Sequence, residues 1–242
     1  MNVAIDIGNT RIKLGIFDQK KLILKKEVEP AEFESLFYKI IEDYSLEQAI
    51  VAATGKSKNV VTLLKKSGLS VNVLDHNTPV PFKNMYQTPE TLGLDRIALM
   101  AAATNKYAGK NTLVIDAGTC VTYDFKNDKD EYLGGAISPG LQMRYRALNA
   151  FTAGLPLLKP EDDFPAMGKD TSGSIHAGVS GGFVLEIEGV IGWYEGNYSD
   201  LTVILTGGDG LFLSKTLKNG IFANSNFLLE GLNYLIVFNT NQ

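Results

Sequence analysis

The chain carries one short phrase twice. Residues 3–10 read VAIDIGNT and residues 113–119 read LVIDAGT: each is an apolar run ending in an acid, then a glycine two positions on, then a hydroxyl residue. Asp6 matches Asp116 and Gly8 matches Gly118, and after each turn the chain becomes extended again, as RIKLGIF and as VTYDF. Each copy predicts a hairpin of strand, acidic tight turn and strand. The two acids stand 110 positions apart in a chain of 242 residues. Two related domains, 1–109 and 110–242, are therefore more economical than one.

The remainder of each half alternates strand and helix patterns. Phe33, Leu36, Phe37, Ile40 and Ile41 recur at helical spacing. AIVAAT reads as a buried strand, NVVTLLKKSG as a helix closed by Gly68, and SVNVLD as a short strand. Residues 88–109 predict a long helix with Thr88 as cap and Pro89 in its first turn; Gly93 weakens that turn, so a start near Asp95 is the alternative. In the second half, LVIDAGTCVTYDF and EYLGGAIS predict strands and LQMRYRALNAFTAG a helix. Pro156, Pro160 and Pro165 mark an exposed excursion. Residues 174–198 read as one helix whose glycines permit close packing, and LTVILTGGDG as a strand and turn. SKTLKNG and NFLLEGLNYLIVF predict closing helices, the second ending either as helix or as strand. The class is α/β.

Composition removes several functions. Cys120 is the single cysteine, which rules out an intrachain disulfide and favours a reducing setting. A formal charge of -4 concentrates no phosphate-backbone-binding charge, so nucleic acid is not expected as a partner. Charges interrupt every apolar run short of the roughly 18 residues a membrane helix needs, and NVAIDIG opens the chain without a leader pattern. The expectation is a soluble cytoplasmic protein.

The glycine turns carry the chemistry. A strand running into such a turn presents uncrowded backbone N–H groups that can hydrogen-bond phosphate oxygens. An acid at the strand end repels phosphate but can hold a hydrated divalent cation that bridges to it. Asp6, Gly8, Asn9 and Thr10 form a first candidate phosphate loop, and Asp116, Gly118 and Thr119 a second. Facing one another, the loops would clamp a nucleoside triphosphate in a cleft between the domains. Lys13, on the same side of an extended strand as Arg11, would direct its charge at a phosphate. A lone acid-and-glycine turn is more often only a tight turn and a lone lysine only a solvated residue; the near-duplication is what favours the loops. TGGDG, residues 206–210, either passes beneath a nucleoside or simply turns the chain.

In GLDR, residues 93–96, Asp95 is either a helix cap or a general base, with Arg96 holding an anionic substrate. On the residues alone the cap is the plainer reading. Arg144 and Arg146 after GGAISPG make an anion-lined turn or face solvent. His76 and His176 lack the company a zinc site needs, and read as a turn residue and a packed helix residue. Cys120 has no histidine at motif spacing. Trp193 and Tyr194 read as core or subunit contact.

DIGNT with Lys13, TPETLGLDR at 88–96, DAGT at 116–119, GGAISPG at 134–140 and TGGD at 206–209 together resemble the type III pantothenate kinases, within the acetate and sugar kinase, Hsp70 and actin superfamily. The resemblance runs in order along nearly the whole chain. It implies duplicated ribonuclease H-like (actin-like ATPase) domains, each a mixed sheet flanked by helices. It implies transfer of the γ-phosphoryl group of ATP to pantothenate, the first step of coenzyme A synthesis, with Asp95 as catalytic base. By position, Asp6, Ile7, Gly8, Asn9, Thr10, Arg11, Ile12 and Lys13 resemble the first phosphate loop, and Thr119 the second nucleotide contact. Tyr86, Gly93, Leu94, Asp95, Arg96 and Thr171 resemble the pantothenate contacts. Asp116 resembles the ligand of a potassium or ammonium ion, and Asp6 serves magnesium or another divalent cation. A homodimer is implied, with apolar helices of the second half as the contact. Another small-molecule kinase of the superfamily, or a catalytically silent ATP-binding relative, is the alternative; an actin-like filament protein fits less well, because the chain is short.

Overall fold

The computed structural model describes residues 1–8, 10–53, 58–217 and 221–240, so Asn9 lies outside the described residues. In chain order the first elements are β1 (Asn2–Ile7), β2 (Ile12–Asp18), β3 (Lys21–Val28), α1 (Phe33–Asp43), β4 (Gln48–Ala53), α2 (Lys58–Lys66), β5 (Ser70–Val73), β6 (Lys83–Asn84) and α3 (Leu94–Lys106). There follow β7 (Thr112–Ala117), β8 (Cys120–Lys126), β9 (Glu131–Pro139), α4 (Leu141–Ala150), α5 (Thr171–His176) and α6 (Gly182–Asn197). The chain closes with β10 (Thr202–Thr206), α7 (Gly210–Thr216), β11 (Ile221–Ala223) and α8 (Phe227–Thr240).

Two compact units result, and they are not contiguous in sequence. The first comprises Met1–Ala108, Asp130–Tyr132 and Asn226–Gln242; the second comprises Gly109–Lys129 and Leu133–Ser225. The closing helix α8 thus belongs to the first unit, although it lies within the expected second block, 110–242.

The first unit is a five-stranded sheet in the order β3-β2-β1-β4-β5, antiparallel from β3 to β1 and parallel from β1 to β5. Alternation divides its faces. Val3, Ile5, Leu14 and Ile16 meet Phe33 and Phe37 of α1 and Leu64 of α2 in one core. The opposite face takes α3 and α8. Residues 96–104 of α3 are all buried, which explains a helix apolar around most of its circumference. Gly231 of α8 lies so close to α3 that a Cβ there would run into the Ala98 carbonyl.

The second unit repeats the plan. β7 and β8 form an antiparallel hairpin, β10 runs parallel to β7, and β11 parallel to β10. Leu113, Ile115, Val121 and Tyr123 pack against Tyr145, Phe183 and Ile187 of the helices. The duplication extends to register: Asp6 stands opposite Lys13 and beside Ala52, and Asp116 opposite Thr122 and beside Thr206.

Several expectations need correction. Residues 174–198 are not one helix, because a π-helical turn, Ala177–Gly181, separates α5 from α6. Gly178, Gly182, Gly189, Gly192 and Gly196 have open space where a side chain would be, so they do not serve close packing. The long helix does not start at Thr88 but at Leu94, as the alternative start near Asp95 expects, after a separate 3₁₀ turn, Pro89–Thr91. The SKTLKNG helix begins earlier, at Gly210, and residues 218–220 lie outside the described residues. Of the two endings open to NFLLEGLNYLIVF the helical one holds, from Phe227 onward.

Candidate active site

The first hairpin closes with the Gly8 N–H donating to the Arg11 carbonyl at 3.0 Å. Asp6 ends β1 on the α3 and α8 face, and its directly opposed neighbour is Lys13, whose own neighbour on β3 is Glu27. Arg11 reaches the same Glu27 at 3.7 Å. Arg11 and Lys13 therefore lie on one side, as expected. Burial pushes the Asp6 carboxyl up to about 6; the Lys13 charge opposes the rise, whereas Asp95 and Glu27 add to it. Asp95 is thus near enough for its charge to be felt at Asp6.

Asp95 occupies the first turn of α3, where Gly93 holds the cap position. The Arg96 N–H donates to Asp95 Oδ1 at 2.9 Å. A Cβ at Gly93 would collide with that same oxygen, so the glycine leaves the carboxylate its space. Gly93 rather than Asp95 holds the cap position, yet the Asp95 carboxylate still accepts an N–H of the first turn, as the capping reading expects. His76 Nε2 lies 2.9 Å from the Leu92 carbonyl and ties down the chain just before this turn. The buried Arg96 guanidinium sits 5.5 Å from the Tyr86 ring centre. Tyr86 in turn stacks on Tyr132 at 6.1 Å. One unit thus gathers Asp6, Lys13, Tyr86, Gly93, Asp95 and Arg96.

In the second unit the shorter hairpin closes with the Gly118 N–H donating to the Cys120 carbonyl at 2.9 Å, leaving Thr119 exposed at the tip. The turn after β10 is pressed onto it. Gly207 has φ +93°, and a Cβ there would strike the Ala117 carbonyl and Asp116 Oδ1; the Asp209 N–H donates to the same carbonyl at 2.9 Å. Burial raises the Asp209 carboxyl. Asp116 and Thr119 share one hairpin, whereas Thr171 stands exposed at the start of α5, after Asp170, whose side chain caps that helix by accepting from the Gly173 N–H at 2.7 Å.

The donor set fits two kinds of cation. Among the described residues no group of three or more His, Cys, Asp or Glu side chains gathers for a metal; a single carboxylate such as Asp6 can hold a hydrated divalent ion together with substrate phosphates. Opposite Asp116, Thr122 Oγ1 is buried with no hydrogen-bond partner among the described residues, a hard oxygen beside a carboxylate.

Tyr132, Thr122 and Asp209 escape a reading of the sequence. Only the acid of TGGDG offers a signal, in a turn open between two roles. Arg144 is not an anion-lined turn but an internal partner of Glu186. His176 is buried, with Nδ1 2.8 Å from the Tyr145 hydroxyl. Tyr194 packs on Phe125 at 4.9 Å, whereas Trp193 is exposed.

Comparison with known proteins adds the family. The model of the type III pantothenate kinases matches residues 2–192. A type III pantothenate kinase from Christiangramia forsetii is 48% identical over 244 aligned positions, covering 100% of both chains. Among solved structures, a Baf family protein from Campylobacter jejuni superposes with a TM-score of 0.67 at 21% identity, over 99% of this chain and 100% of the other. A candidate 2-dehydro-3-deoxygalactonokinase from Sinorhizobium meliloti gives a TM-score of 0.59 at 13% identity, over 98% of this chain and 96% of the other. At such identities these two speak for the fold alone. Among the described residues no helix is long and apolar enough to cross a membrane.

Proposed function

The chain belongs to the type III pantothenate kinases, and from that premise we propose how its residues divide the transfer of the γ-phosphoryl group of ATP to the primary hydroxyl of pantothenate. The product is 4′-phosphopantothenate, at the entry to coenzyme A synthesis. The observation that carries the assignment of roles is the buried Arg96, which follows Asp95 in the first turn of α3 and lies against Tyr86.

Asp95 orients the pantothenate hydroxyl and accepts its proton as the oxygen attacks the terminal phosphorus in line. Arg96 anchors the substrate carboxylate, and Tyr86, Gly93, Leu94 and Thr171 complete the acceptor site. A planar guanidinium fixed against an aromatic ring is prearranged for a two-point carboxylate contact. Backbone N–H groups of residues 6–13, with the Lys13 ammonium, take the phosphates, and Thr119 supplies the second nucleotide contact.

Asp6 would hold a hydrated magnesium or similar divalent ion, which when bound offsets charge on the transferring phosphoryl group. Asp116 and Thr122 would hold a potassium or ammonium ion, an added positive charge near the phosphates. We place the enzyme in the cytoplasm as a homodimer. The exposed Leu185 and Trp193 of α6 supply apolar surface for the contact.

The test is ADP release from ATP with and without pantothenate, in potassium and in sodium buffer. Pantothenate-dependent release favoured by potassium, with phosphopantothenate confirmed by mass, is the expected result. Folded protein that releases no pantothenate-dependent ADP with magnesium and potassium present would overturn the reading.

A further inference from the structure

Arg144 is exposed to neither substrate in the roles above, yet it is one of the most heavily bonded side chains in the second unit. Its Nε donates to the Pro139 carbonyl at 2.8 Å, and its Nη2 donates to Ser138 Oγ at 3.0 Å and to Glu186 Oε2 at 2.5 Å. The guanidinium also lies 4.8 Å from the Phe183 ring centre. Glu186 Oε1 accepts from the Tyr123 hydroxyl at 2.9 Å. Burial pushes the Glu186 carboxyl up, but hydrogen bonds from Arg144, Ser138 and Tyr123 outweigh it and hold the group below the usual carboxylate range. The cluster joins α4, α6, β8 and the end of β9.

That end of β9 abuts the proposed nucleotide loop. The Gly140 N–H donates to the Thr119 carbonyl at 3.2 Å, and a Cβ at Gly140 would run into the carbonyl oxygens of Gly118 and Thr119. The segment Ser138–Gly140 is therefore held by Arg144 on one side and abuts the loop on the other. We propose that Arg144 and Glu186 are positioning residues for ATP: they brace Ser138–Gly140 so that Gly118 and Thr119 keep the geometry that receives the nucleotide. The inference rests on the reading of Thr119 as a nucleotide contact.

Steady-state kinetics on Arg144→Met, Glu186→Gln, Tyr123→Phe and Arg144→Lys tests it, with Thr119→Ala as the reference and thermal unfolding as a folding check. Loss of the brace should raise KM for ATP about 2- to 30-fold, the span expected of a positioning network, and leave KM for pantothenate within about twofold. Arg144→Lys should recover part of the loss, because the ammonium keeps the charge and its donors but gathers them at one point in place of the planar fork. If Arg144→Met fails to fold, Glu186→Gln and Tyr123→Phe keep the geometry and carry the test. A Thr119→Ala enzyme with unchanged KM for ATP would overturn the loop assignment and the brace with it. A raised value for Thr119→Ala beside unchanged or substrate-independent effects in the folded brace variants would overturn the brace alone.

Discussion

Asp6 and Lys13 occupy directly opposed positions on β1 and β2, and the lysine does not win control of the acid. Burial comes first and carries the carboxyl up to about 6, with Asp95 and Glu27 adding to the rise. A carboxyl buried within reach of further negative charge is costly to the empty protein and suited to a positively charged occupant.

The cost is measurable as a pH dependence of stability. The folded-state pKa lies above the unfolded value, so the folded chain binds the proton more tightly and stability falls as pH rises from about 4 to about 6. Above that window the penalty is fully present. A tenfold difference in proton affinity is worth roughly 1.4 kcal/mol, and the rise to about 6 already includes the opposing attraction of Lys13. Asp6→Asn should therefore stabilise the ligand-free protein by about 3 kcal/mol at pH 8, a gain that vanishes by about pH 4. Urea unfolding of both proteins in a chelating buffer from pH 4 to pH 8 checks this, and the variant should be inactive. A pH-independent difference between the two proteins would rule the account out.

Asp95 and Arg96 are adjacent in sequence but should fail differently. Asp95→Asn keeps the shape of the first turn of α3 and removes the proton acceptor, so kcat should drop by about 10²- to 10⁴-fold while both KM values hold. Arg96→Met keeps bulk at a buried position and removes the charge. It should raise KM for pantothenate by about 10- to 100-fold, as expected for a lost charged hydrogen bond. Kinetics with each substrate varied in turn separates the two. Equal loss in the same constant from both variants would contradict the division of roles.

The duplicated hairpins are legible in the sequence because an acid and a glycine recur at matched positions after apolar runs, and local geometry requires both. The proposed base role of Asp95 is favoured over a cap only through the family resemblance, since on the residues alone the cap is the plainer reading. The destination of α8 is not legible. An apolar closing segment announces burial but not the surface that receives it, and Gly231 reveals that surface only once Ala98 is seen opposite it. Arg144 is hidden for a related reason: its partner Glu186 lies 42 positions away, beyond the reach of any local pattern.

The Gly231 contact gives a stability test free of catalysis. A methyl group there must push α8 away from α3, because the obstacle is the Ala98 backbone carbonyl rather than a side chain that can swing aside. Gly231→Ala should cost about 1–3 kcal/mol, the usual range for overpacking, despite the better helix propensity of alanine. Gly196, in α6 with open space where its side chain would be, is the comparison: Gly196→Ala should be neutral or stabilising by up to about 1 kcal/mol. Denaturant midpoints of the two variants decide the matter.

Gly207 and Gly68 allow backbone strain to be separated from collision at the second hairpin. Both have positive φ, +93° and +84°, but Gly68 has nothing within 4 Å of a built Cβ, whereas Gly207 faces the Ala117 carbonyl and Asp116 Oδ1. Alanine at either position should cost about 1 kcal/mol or more of stability through the backbone alone. Only at Gly207 should it also displace the Asp116 carboxylate. Gly207→Ala should therefore raise the potassium concentration needed for half-maximal activation about 10-fold or more, the loss typical when a supporting neighbour of an ion ligand is disturbed. Gly68→Ala should leave that concentration unchanged while losing stability. Activation curves in potassium, recorded for both variants at a temperature where each is fully folded, read the two effects independently. A shift of similar size in both would mean that general loosening, rather than contact with Asp116, sets the response to the ion.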